Sequence, residues 1–231
     1  MRQVELHHGA ATDVGRVREV NEDSFLAVPP VFVVADGMGG HEGGDVASAI
    51  VAEEFGRLAE QGYDPMHALD AVRTTLAGCQ RRILEYADEQ GRRGVERRRS
   101  AGTTVVAALL VEADDEPAWL LANLGDSRIY RFTDGALDQV STDHSLVQEL
   151  VDAGRITPQE AATHPERNVI TRALGDAVGV DADYFVVPLA DAERVLLCSD
   201  GVTGMLDDAA IAAVLVEAAD PRDAADRLVE A

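Results

Sequence analysis

A chain of 231 residues is long enough to bury one sizeable core, and nothing in its composition calls for a second domain. A formal charge of −22 with pI about 4.4 argues against nucleic acid or an anionic membrane surface as partner, and no apolar run reaches membrane-spanning length. Without a signal peptide at Met1 the chain reads as a cytoplasmic monomer, and all 20 of its basic residues are arginine, the side chain that grips phosphate through a bidentate fork.

In chain order, residues 4–11 read as a strand. His7 and His8 within it point to opposite faces of that strand, which argues against their chelating one ion. Residues 15–25, GRVREVNEDSF, place Arg18 close to Glu22 and Asp23, ahead of a short strand over residues 24–28. Taken alone, an arginine beside two acids is a surface ion pair.

Residues 31–44, VFVVADGMGGHEGG, are the most informative stretch. A buried strand runs into Asp36-Gly37, and glycines at 37, 39, 40, 43 and 44 allow close approach before an amphipathic helix opens at Val46. A P-loop needs Lys followed by Ser or Thr, and His41-Glu42 supplies neither. The loose dinucleotide fingerprint of Gly37, Gly39 and Gly43 would set Asp36 and Glu42 around a pyrophosphate with no lysine in the chain. The apolar-run-then-acid pattern returns in residues 119–127, which deliver Asp126, and in residues 194–201, which deliver Asp200. One Asp-Gly or Asp-Ser pair is usually just a turn. Three of them behind buried strands favour a site for a hard divalent cation, Mg²⁺ or Mn²⁺.

Asp64-Pro65 is read as the cap and start of a helix whose core face is Leu69, Val72, Leu76, Cys79 and Ile83. Both cysteines, Cys79 and Cys198, fall on apolar faces and are read as core. Arg92, Arg93 and Arg97 to Arg99 read as a solvated basic loop before a strand over residues 100–111. Two helical stretches, HSLVQELVDAG and TPQEAAT, precede HPERNVITRAL, and a capped helix opens at Asp220.

The motifs GRVREVNEDS, VFVVADGMGGHEGG, SAGTT (residues 100–104), LGDSRIY (124–130) and LLCSDGV (196–202), in this order, resemble those of the metal-dependent serine/threonine protein phosphatases, the PPM or type 2C family, in its bacterial form. The resemblance implies an α/β (α+β) fold: a four-layer α-β-β-α sandwich of two mainly antiparallel sheets flanked by helix pairs. It implies that Asp36 bridges two metal ions, that Gly37 lends its carbonyl to one, and that Asp200 holds the other. Asp126 matches the position that, with Asp200, holds a third ion. Glu22 would orient the water, Asp23 would support it, and Arg18 would grip the substrate phosphate. The implied cofactor is Mn²⁺ or Mg²⁺, as two catalytic ions and a third. The implied activity is hydrolysis of phosphoserine and phosphothreonine in proteins phosphorylated by Ser/Thr kinases, by a metal-activated water and without a covalent phosphoenzyme.

Family members carry a flap beside the metals, which places His164 and Asn168 near the cleft, against the simpler reading of a surface histidine. Met38 stands where animal members have a proposed acid histidine, and His41 is close in sequence. The family's closing Asp-Asn motif and last strand do not appear before Ala231, so residues 1–231 are expected to form a single phosphatase domain lacking them. That departure motivates the alternative of a catalytically impaired or non-catalytic phosphoprotein-binding module of the same fold.

Overall fold

The computed structural model describes residues 4–39, 43–92, 101–176 and 179–231. His41 and Glu42, Ser100, Arg93 and Arg97 to Arg99 lie outside the described residues.

Strands β1 (Asp23–Val28) and β2 (Val31–Met38) form a hairpin across Pro29-Pro30 and lead into α1 (Gly44–Gln61) and α2 (Ala68–Arg92). Then come β3 (Gly102–Thr103), β4 (Val105–Ala113), β5 (Glu116–Leu124), β6 (Arg128–Thr133) and β7 (Ala136–Gln139). Two short helices, α3 (Leu146–Asp152) and α4 (Pro158–Ala162), precede β8 (Asp183–Pro188) and β9 (Arg194–Cys198). The chain continues through α5 (Asp200–Thr203), α6 (Asp208–Glu217) and α7 (Pro221–Glu230).

The strands sort into a six-stranded sheet, β1-β2-β4-β5-β8 with β3 on β2, and a three-stranded sheet, β7-β6-β9; every pairing is antiparallel. Period-two alternation puts Val31, Val33 and Ala35 of β2 in a core with Val51 and Phe55 of α1 and Leu76 and Ile83 of α2. The same alternation turns Phe32 and Val34 into a second core between the sheets, with Leu121, Ile129, Val195 and Leu197. A third core packs Phe132 and Leu196 against Ile211, Leu215 and Leu228 of α6 and α7. The order is therefore helix pair, sheet, sheet, helix pair, as the resemblance implied. The central strand β4 is buried over Val105 to Val111, as expected of a strand covered on both faces.

Two expectations need correction. Residues 4–11 form no strand. They run instead with Gly9 against the backbone of Pro221 and Arg222, and with the His8 ring 5.6 Å from that of Phe32. The second helix starts at Ala68, because the Asp64 carboxylate takes the Met66 N–H and the His67 ring and makes 64–67 a separate turn. The stripe itself holds: Val72, Leu76, Cys79 and Ile83 are fully buried. Both cysteines are free and buried, and burial pushes each thiol up to about 12. No helix among the described residues is long and apolar enough to cross a membrane.

Candidate metal centre

The acids gather at one end of the sandwich, where the two sheets face each other. Asp36 continues the inward series of Phe32 and Val34 and lies inside β2 rather than at its end, because Gly37 and Met38 go on pairing with Thr103 and Gly102. Asp23, the first residue of β1, is its Cα partner across the ladder, and direct partners share a face. Asp200 opens α5 immediately after β9 of the other sheet. Ser199 donates to Asp23 Oδ2 at 2.6 Å and so ties that turn to the first sheet. Asp126 sits in the connection that carries the chain from β5 to β6, from one sheet to the other.

Burial first, and then the charges of Asp23 and Asp200, push the Asp36 carboxyl from 3.8 up to about 9. Asp126 is pushed up to about 6, first by burial and then by Asp200 and Asp143. Asp23 is raised by burial against the lowering hydrogen bond from Ser199. The opposing charges, Arg18 near Asp23 and Arg128 near Asp126, are the smallest of the influences on those carboxyls. Asp126 Oδ1 is shielded from solvent and has no hydrogen-bond partner. Buried carboxylates crowded in this way are what a bound cation relieves. The donors are oxygens only, which suits Mg²⁺ or Mn²⁺. Among the described residues no three His, Cys, Asp or Glu side chains stand around one point, so a cation held here would need backbone carbonyls and water to complete its shell.

Glu22 reaches this end through glycine packing. The Gly37 N–H donates to the Glu22 carbonyl at 3.1 Å, and Ser48 Oγ donates to the same carbonyl at 2.6 Å. A Cβ on Gly37 would overlap the Gly44 carbonyl, and one on Gly44 would lie 2.7 Å from Glu22 Oε1. Those two glycines are needed for close approach rather than for turning. Arg18, four residues before Glu22, puts its Nη1 3.9 Å from Glu22 Oε2, with side chains 77% and 17% exposed. His164 Nδ1 accepts the Glu166 N–H within its own turn. Asn168 is exposed.

Several buried polar residues brace the centre and were assigned no role from the sequence. Thr103 and Thr104 both donate to the Asp36 carbonyl, through Oγ1 and N–H respectively, each at 2.9 Å. His144 Nδ1 accepts the Gly125 N–H at 3.1 Å, while its Nε2 lies 3.2 Å from Asp183 Oδ2. Asp143 takes the Arg128 fork, Nε to Oδ1 at 3.0 Å and Nη2 to Oδ2 at 2.7 Å. The consecutive residues 143 and 144 thus hold the chain on both sides of Asp126. The available sequence signal was polarity at the start of an apolar strand, for Thr103-Thr104, and just before the Ser145 helix cap, for Asp143-His144.

Comparison with known proteins gives the family. Residues 16–231 match the Protein phosphatase 2C family. The serine/threonine phosphatase stp of Listeria monocytogenes is 36% identical over 223 residues, 91% of this chain and 83% of that protein. The crystal structure of the serine/threonine phosphatase Stp1 from Staphylococcus aureus superimposes with a TM-score of 0.84 at 32% identity, covering 100% of this chain and 92% of that one. The catalytic domain of serine threonine protein phosphatase PstP, solved with 2 manganese ions, matches with a TM-score of 0.76 at 32% identity, covering 96% and 89%. The chain belongs to the protein phosphatase 2C family.

Proposed function

We infer that this chain hydrolyses phosphoserine and phosphothreonine monoesters in proteins with the help of Mn²⁺ or Mg²⁺. The observation that carries the reading is the collection of Asp23, Asp36, Asp126 and Asp200, from two facing sheets, at one partly buried end of the sandwich, with Arg18 exposed beside Glu22.

In this reading Asp36, the Gly37 carbonyl and Asp200 would hold the catalytic ions, and Asp126 with Asp200 would hold a third. The ions supply Lewis acidity, which lowers the pKa of water and offsets charge on the phosphate oxygens. The remaining work falls to the chain. Arg18, 77% exposed and only loosely paired, is free to close its fork on two phosphate oxygens and set the phosphorus in line for attack. Glu22, whose side chain is held against Gly44, orients the attacking water. Asp23, fixed by Ser199, supports Glu22. Both thiols are buried and held in the protonated form, which fits a direct displacement without a covalent phosphoenzyme. Free thiols also suit a reducing cytoplasm, where the substrates would be the products of Ser/Thr kinases.

The test is hydrolysis of an aryl phosphate and of a phosphothreonine peptide while Mn²⁺ is titrated from zero. Turnover that requires the metal and disappears in Asp36→Asn is the expected result. Metal-independent turnover, or phosphopeptide binding without turnover at saturating Mn²⁺, would overturn it.

A further inference from the structure

The ladder between β2 and the β3–β4 stretch is broken at one residue. Val34 pairs with Val106 and Gly37 with Thr103, so Asp36 stands opposite Thr104 in unbroken register, yet Thr104 itself belongs to neither strand. Partners in an antiparallel hydrogen-bonded pair ordinarily exchange two N–H to carbonyl bonds. Here only one is made: the Thr104 N–H donates to the Asp36 carbonyl at 2.9 Å. The Asp36 N–H instead donates to the Thr104 hydroxyl at 3.0 Å, and the Thr104 carbonyl lies 3.0 Å from the Thr103 hydroxyl, whose one hydrogen it shares with the Asp36 carbonyl.

The Thr104 hydroxyl lies 2.7 Å from Ser127 Oγ, in a fully buried pair. Its neighbouring methyl and Cβ fill the space over Gly125, where an added Cβ would come within 2.6 Å of both. One side chain therefore touches the backbone of Asp36 and both residues flanking Asp126.

We propose that Thr104 is a positioning residue whose hydroxyl, tying the Asp36 N–H to Ser127, fixes the spacing between Asp36 and Asp126, while its methyl only fills the space over Gly125. The role rests on the metal-dependent reading of these acids given above. Thr104 touches no substrate. It acts by giving up a regular ladder bond so that the strand carrying one acid is keyed to the loop carrying the other.

Thr104→Val keeps the shape and deletes the hydroxyl; Thr104→Ser keeps the hydroxyl and deletes the methyl. Both variants are to be compared with wild type by calorimetric titration of Mn²⁺ alone, by kcat and KM on a phosphothreonine peptide, and by thermal unfolding. We expect Thr104→Val to weaken Mn²⁺ binding and lower kcat by about 10-fold or more with KM nearly unchanged, as for lost second-layer support of a metal site. Thr104→Ser should stay within about 3-fold of wild type in both, even where its melting temperature falls as far as that of the valine variant. Equal losses in the two variants, following their stability, would overturn the proposal. Should Thr104→Val not fold, Ser127→Ala breaks the same link from the other side, and an unchanged Mn²⁺ affinity there also overturns it. A wild type that binds Mn²⁺ but turns nothing over refutes the phosphatase reading, while the calorimetric comparison still decides the role of Thr104. A wild type that binds no Mn²⁺ removes both.

Discussion

Asp23 and Asp36 are direct partners across the β1–β2 ladder, so two carboxyls share one face of the sheet at its inner end. Burial disfavours a charge there, and like charges placed so add to the cost; the Asp36 carboxyl is held up at about 9 against 3.8 in the open. Between those values the folded, metal-free protein binds a proton that the unfolded chain has released. Its contribution to stability is whole below pH 3.8 and is lost as pH rises through about 9. Melting in the presence of EDTA should therefore fall as pH is raised from 5 to 9. Asp36→Asn removes the charge at constant shape, so it should flatten this slope and raise the melting temperature at pH 8 by about 2–4 °C, the equivalent of roughly 1 kcal/mol for a domain of this size. The same variant should lose phosphatase activity. A pH-independent melting curve for the metal-free wild type would contradict the assignment.

The fold was legible where the pattern is local. The alternation of β2 and the three-and-four spacing of Val72, Leu76, Cys79 and Ile83 each announced the right element. It was illegible where a distant partner decides. Residues 4–11 alternate weakly, and their contacts, Gly9 with the start of α7 and His8 with Phe32, are ones no local pattern announces. Asp36 was expected at the end of its strand, because nothing in VFVVADGM tells that Thr103, far along the chain, extends the pairing past it. For the site, acids following apolar runs were visible as such, and structure joins them. The braces were not visible: His144 gains its meaning only from Gly125 and Asp183, and Arg128 only from Asp143.

Gly44 opens α1, where alanine is normally the better helix former by about 1 kcal/mol. The packing reverses that preference, since a Cβ would lie 2.7 Å from both Glu22 Oε1 and the Gly37 carbonyl carbon. Gly44→Ala should lower the melting temperature by several degrees, in the range of an overpacked core at about 1–3 kcal/mol. It should also reduce kcat, because Glu22 is the group displaced. Gly62→Ala is the control: it meets nothing within 4 Å, and its φ of +73° exacts only the backbone cost. Thermal melts and turnover on the two variants separate crowding from conformation.

Cys79 and Cys198 are buried, and desolvation pushes both thiols up to about 12. Thiolate is the reacting form, so at pH 8 neither should react with a disulfide reagent in the folded protein, while both should react at once in guanidinium. Treating the native protein with an alkylating agent should leave its phosphatase activity intact. Inactivation by stoichiometric alkylation of native protein would instead make a thiol part of the chemistry.

Arg18 separates binding from stability more cleanly than any other residue at the site. Its side chain is 77% exposed and its contact with Glu22 is 3.9 Å long, so the pair adds little to folding, at most a few tenths of a kcal/mol. Arg18→Ala should leave the melting temperature within about 1 °C of wild type. If the guanidinium grips phosphate, the same variant should raise KM for a phosphothreonine peptide about 10-fold, the scale of one lost charge-assisted contact. Arg18→Lys keeps the charge but loses the planar fork, and should recover only part of that affinity. Because the lost contact is to the phosphate itself, an aryl phosphate should show the same rise as the peptide. A rise confined to the peptide would mean that Arg18 reads the chain around the phosphoresidue, and equal KM values in all three proteins would leave it a surface arginine.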